Sequence, residues 1–103
     1  IEFKNYKIKP TNYTIRSGCD SDNPKSFVLE GSNDKKKWIE LDSHFNENIL
    51  CSHSIIRTFL IKDENKIQQQ FKFIQLRITG PNSNNNFILE ITNIELFGKY
   101  IQQ

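Results

Sequence analysis

The stretch Phe27-Val28-Leu29-Glu30-Gly31-Ser32-Asn33-Asp34-Lys35-Lys36-Lys37-Trp38-Ile39-Glu40-Leu41-Asp42 decides the fold class. Phe27 and Leu29 alternate with Val28 and Glu30, and Ile39 and Leu41 alternate with Glu40 and Asp42. A period of two over a short run marks a half-buried strand, because successive side chains leave opposite faces of the backbone. Between the runs, Gly31-Ser32-Asn33-Asp34-Lys35 is a tight hairpin signal. The pattern predicts two antiparallel strands with Trp38 buried in the core, the alternative for Trp38 being an exposed ligand platform, and it puts Glu30, Glu40 and Asp42 on the solvent face.

The same period extends outward in both directions. Tyr13 and Ile15 alternate with Thr14 and Arg16, and Ile74, Leu76 and Ile78 alternate with Gln75, Arg77 and Thr79. Ile55–Ile61 is denser in apolar residues and reads as a strand buried on both faces. The run from Phe87 to Phe97 is longer, and Asn93 marks a bend or bulge in it. Ile1-Glu2-Phe3 reads as strand, and Pro10 is expected just ahead of one. Lys62–Gln70 is too short and polar for a stable helix and is read as a loop. Short strands separated by polar turns indicate an antiparallel sandwich or barrel.

The chain has 103 residues, enough for one domain and one core. Fifteen Ile and eight Phe exclude a disordered chain. A net charge of +2 argues against a nucleic-acid partner, and Lys35-Lys36-Lys37 reads as a solvated hairpin tip. No apolar run reaches the ~20 residues of a membrane-spanning helix. No G-x-S-x-G elbow or phosphate-cradling glycine loop is present, so the chain reads as non-enzymatic, with no cofactor. The chain contains neither Met nor Ala, and the strand-like start reads as part of a longer polypeptide.

Three stretches are specific: residues 23–34 with Trp38-Ile39-Glu40-Leu41-Asp42; Phe73-Ile74-Gln75-Leu76-Arg77-Ile78-Thr79-Gly80-Pro81-Asn82; and Leu89-Glu90-Ile91-Thr92-Asn93-Ile94-Glu95-Leu96-Phe97-Gly98. Together they resemble the discoidin domain, also called the coagulation factor 5/8 type C domain, and most of all the copies that accompany BTB domains in unicellular eukaryotes. The resemblance covers residues 1–103 as a single discoidin-like domain. It implies an all-β, antiparallel jelly-roll sandwich of the galactose-binding-like kind, lacking its N-terminal portion because the family domain begins upstream of Ile1.

If each strand crosses the sandwich, loops 17–25, 43–53 and 80–86 gather at one end. In the family, the loop matching 17–25 projects toward ligands and the one matching 80–86 forms another wall. The resemblance therefore implies a ligand-binding set of Arg16, Asp20, Asp22, Asn23, Arg77, Asn82, Asn84 and Asn85. The plain alternative is that these are ordinary solvated turns, which favour the same residue types. Arg16 and Arg77 have two readings each: a grip on a carboxylate or sugar hydroxyl, or a structural bond to a neighbouring carbonyl or acid.

The family's lipid binders push large apolar side chains out of these loops. Loop 17–25 has none and loop 43–53 offers only Phe45, Ile49 and Leu50, so membrane insertion is not expected. Asp20 and Asp22 supply too few oxygens for calcium. Cys19, Cys51, His44 and His53 lack zinc-finger spacing, so no metal is expected. Cys19 and Cys51 read as free thiols in a reducing compartment, or as a disulfide in an oxidising one. The resulting expectation is a non-catalytic recognition module of a larger protein. It would mediate protein–protein interaction in the cytoplasm or in a large assembly, cytoskeletal or ciliary. The alternative is an extracellular carbohydrate-binding module, which calls for an aromatic platform.

Overall fold

The computed structural model describes residues 1–17, 23–48, 50, 55–66, 68–87 and 91–103. Its strands are β1 (Tyr6–Ser17), β2 (Phe27–Ser32), β3 (Ile39–His44), β4 (Ile56–Leu60), β5 (Phe73–Ile78) and β6 (Ile91–Gln102). They form two three-stranded sheets, β4-β1-β6 and β3-β2-β5, and every pairing is antiparallel. The described residues contain no helix, and 62–66 with 68–70 is loop. The fold is an all-β sandwich.

Alternation builds the interior as expected. Tyr13 and Ile15 of β1 face Phe27 and Leu29 of β2 across a core completed by Ile8, Leu41, Leu50, Ile61, Phe71 and Ile74. Burying each such side chain contributes about 1.5–3 kcal/mol. Strand β2 is buried along its whole length on both faces. Residues 1–3 lie along β5: the Phe3 amide donates to the Lys72 carbonyl at 2.9 Å, and Glu2 bridges Phe73. At the β2–β3 turn, Lys35 takes φ +62°. The amides of Lys37 and Lys36 donate to the Asp34 carboxylate at 2.9 and 2.8 Å and lower its pKa.

Four expectations are corrected. Pro10 lies inside β1, not ahead of it, at a register shift where Pro10 pairs with Gly98 and Asn12 with Phe97. Thr11 is the extra residue of this bulge, the one place in a central strand where a missing N–H is tolerated. Segment 55–61 is not doubly buried: β4 is an edge strand, with Ile56 and Leu60 exposed on its outer side. Trp38 is only half-buried and stands outside the core cluster, because it belongs to the turn before β3 begins. Asp42 turns inward: Leu29 pairs with Asp42 but Glu30 with Glu40, so Leu41 is an extra residue that reverses the alternation. A second β6–β1 register shift, pairing Arg16 with Asn93 and Ser17 with Ile91, skips Thr92 beside the expected Asn93.

Two glycines are demanded by close approach. A Cβ on Gly98, which adopts φ +156°, would lie 2.1 Å from the Lys9 carbonyl oxygen at the β1 bulge. A Cβ on Gly31 would lie 2.6 Å from the Phe71 ring. Gly98→Ala and Gly31→Ala should each destabilise the domain by about 2–4 kcal/mol in denaturant titration, with Gly98→Ala the worse because its obstacle is backbone. Equal stability to the wild type would mean that the bulge and the ring contact are not formed.

Candidate binding site

Ser26 organises one pole of the sandwich. Its buried hydroxyl accepts from the Asn46 amide at 2.8 Å, and its carbonyl accepts from the Thr79 amide at 3.0 Å. The Lys25 carbonyl accepts from the Glu47 amide at 3.0 Å. Asn23 and Ser83 are doubly tied: the Ser83 amide donates to the Asn23 carbonyl, and the Asn23 amide donates to the Ser83 hydroxyl, both at 2.9 Å. The described parts of the three connections 17–25, 43–53 and 80–86 are thus braced against each other. The hairpin tip at 33–38 lies elsewhere, where Asn33 exchanges hydrogen bonds with Gln70 and Lys72.

The residues singled out by sequence divide sharply. Asp20 and Asp22 lie outside the described residues, as do Cys19, Cys51 and His53. Asn23 is only 4% exposed, and its side-chain oxygen has no hydrogen-bond partner. Asn82 is buried and shapes its own loop: its side-chain oxygen accepts from the Asn84 and Asn86 amides at 2.9 and 3.1 Å. Asn84 and Asn85 are exposed, and Asn85 adopts φ +57°, which asparagine tolerates well. Leu50 is fully buried in the core, whereas Phe45 projects into solvent.

Arg16 and Arg77 are not brought together. Arg16 is exposed on the outer face of β1, between the register positions of Ile56 and Asn93. Arg77 lies on the outer face of the other sheet, where its Nε donates to Glu30 Oε1 at 2.8 Å. Gln75 Nε2 donates to the same oxygen at 2.7 Å. Glu30 is therefore on the outer side, as the alternation requires, but covered by these neighbours and only 6% exposed. The Arg77 hydrogen bond holds the Glu30 carboxyl below the usual carboxylate range, against the opposing pull of burial, and Gln75 helps.

The alternation missed a half-buried polar cluster that forms where Asp42 turns inward. The Tyr13 hydroxyl donates to Asp42 Oδ2 at 2.5 Å. His44 places Nε2 at 3.1 Å from the same Asp42 oxygen and Nδ1 at 2.8 Å from Glu47 Oε2. The imidazole packs against Phe27 and Phe59, with ring centroids 4.9 and 4.5 Å apart. A groove of about 570 Å³ opens over this cluster, lined by Asp42, Ser43, His44, Glu47, Phe59 and Lys62 among others. Because the two ring nitrogens point to different carboxylates, the cluster does not converge on a point. Among the described residues, no set of His, Cys, Asp or Glu is arranged to hold a metal ion. A second groove, of about 330 Å³, is lined by Glu2, Lys35, Trp38, Phe73 and Gln75 among others. Lys35 Nζ sits 4.9 Å from the centre of the Phe73 ring, so part of the basic run packs on an aromatic face.

Two titrations test this layout. Burial first, then the Asp42 hydrogen bond and the charges of Asp42 and Glu47, push the Tyr13 phenol pKa upward. The folded state therefore keeps a proton that the unfolded chain loses above about pH 10, so this group makes stability fall with rising pH there. Tyr13→Phe should flatten that alkaline slope, and an unchanged slope would remove the buried phenol. For Glu30 the sign is opposite: its lowered pKa gives stability that is present above the ordinary carboxylate range and lost as pH falls through the folded value. Arg77→Gln should weaken this acid-sensitive contribution, and an unaltered acid limb would leave Arg77 free for a ligand.

Comparison with known proteins finds no family model that matches the chain and no curated protein that matches it.

Proposed function

We propose that this chain is a discoidin-like, non-catalytic recognition module, with jelly-roll connectivity, that serves a larger protein by binding a protein partner through the Ser26 pole. The observation that carries the reading is the exposure of Phe45 and Phe87, at 81% and 68%, on connections of that braced pole. Phe45 precedes Asn46, whose amide is held by Ser26, and Phe87 follows the Asn82–Asn86 turn. Aromatic side chains held by a rigid frame are effective anchors, because little conformational freedom is lost when a partner covers them. The neighbouring Asn84 and Asn85 supply a polar rim of the kind that surrounds such anchors. A cytoplasmic setting belongs to the same proposal.

A second reading has its own observation. The groove lined by Trp38 and Phe73 sets two aromatic side chains next to Glu2 and Gln75, which suits an extracellular carbohydrate.

The test compares the wild-type chain with Phe45→Ser/Phe87→Ser as crosslinking baits in cell extract, alongside a glycan array and sedimentation with anionic liposomes. Proteins held by the wild type and lost from an equally stable variant carry the protein reading. Identical captures from both baits overturn it. Array signals abolished by Trp38→Ala transfer the function to the carbohydrate reading, and Phe45-dependent liposome binding transfers it to a membrane surface.

A further inference from the structure

Among the described residues, β6 is a strand of twelve residues that pairs with β1 alone, and no described strand lies along its other edge; the Leu96 carbonyl of β6 accepts from the Tyr100 hydroxyl at 3.2 Å. An open edge presents unpaired N–H and C=O groups to any strand of matching register. The side chains specify which strand would match. Register with β1 puts Glu95 beside Thr14 and Phe97 beside Asn12, on the outer face of the sheet. Lys99 shares their parity along the strand. Glu95, Phe97 and Lys99 are all exposed, and Phe97 is the apolar residue between two opposite charges.

We propose that the open edge of β6 pairs antiparallel with β6 of a second copy of this chain, about a two-fold axis through Phe97. In that register residue 97 faces its own copy. Glu95 then faces Lys99, and by symmetry the charge pair forms twice. On the other face, Ile94 meets Tyr100 and Leu96 meets Gly98. Tyr100 is exposed and Ile94 half-buried, so this pairing covers apolar surface on both sides of the new sheet. Registers centred on Glu95 or Lys99 would set like charges directly opposite, which is unfavourable. The product is a continuous six-stranded sheet, β4-β1-β6 followed by its symmetry copy. A joint between two strand edges buries less than the ~1,200–2,000 Å² of a strong interface, so the dimer is weak and concentration-dependent.

The proposal is independent of the Ser26 pole, and Phe45→Ser/Phe87→Ser should leave it unchanged. Sedimentation equilibrium of the whole chain should show a monomer–dimer equilibrium. Glu95→Lys and Lys99→Glu should each raise the dissociation constant on the order of tenfold or more, and Glu95→Lys/Lys99→Glu should restore it, since the charges are then merely exchanged. In a chain carrying Cys19→Ser and Cys51→Ser, Phe97→Cys should form a covalent dimer under a mild oxidant, whereas Asn93→Cys should not. Asn93, Glu95, Phe97 and Lys99 are exposed, and circular dichroism checks that each variant folds. A monomer at every concentration, single variants that dimerise like the wild type, or a charge exchange that fails to restore pairing overturns the proposal.

Discussion

A phenol fully enclosed between two sheets must place its hydroxyl against an acceptor, or pay the desolvation of an unmatched polar group. Tyr13 meets that requirement through Asp42, which the extra residue Leu41 turns toward the interior. The consequences run outward from this contact. Asp42 also meets His44, His44 meets Glu47, and the Glu47 amide is bound by the Lys25 carbonyl at the Ser26 pole. A single polar path therefore joins the centre of the core to the loops that carry Phe45. The aromatic rings of Phe27 and Phe59 enclose the path's imidazole and hold it in register.

The strand pattern was legible because most strands have one wet face. Tyr13–Arg16 and Ile74–Ile78 show the period of two in their side chains and are strands; Phe27–Glu30 shows it too and is a strand, although β2 is covered on both faces. The departures share a physical origin. A bulge leaves no mark on hydrophobic spacing, so spacing alone places Asp42 toward solvent and Pro10 at a strand entrance, although both sit at register shifts. Apolar density also says nothing about position in a sheet, and segment 55–61 lies at an edge despite its isoleucines. Trp38 is a similar case: residue type argued for the core, but its place in the turn put it on the groove beside Phe73.

Less of the candidate site could be read. Loop order along the chain was sufficient to gather Asn23, Asn46 and Ser83 near one pole, since each strand reverses the direction of the last. Individual roles depended on detail that spacing does not carry. Asn82 is committed to the turn it builds, and Arg16 and Arg77 leave opposite outer faces. Phe87 reads as strand by its apolar character, whereas it lies outside the described strands.

Burial is also distributed unevenly between the layers. Strand β2 is covered above and below along its length, while β4 has most of its residues in contact with water. The cost of exposing a backbone amide follows that difference. Exposing the β2 amides therefore costs more buried contact than exposing those of β4. By this distribution of burial the amides of β2 should exchange slowest, and those of the Ile56–Leu60 margin should open first.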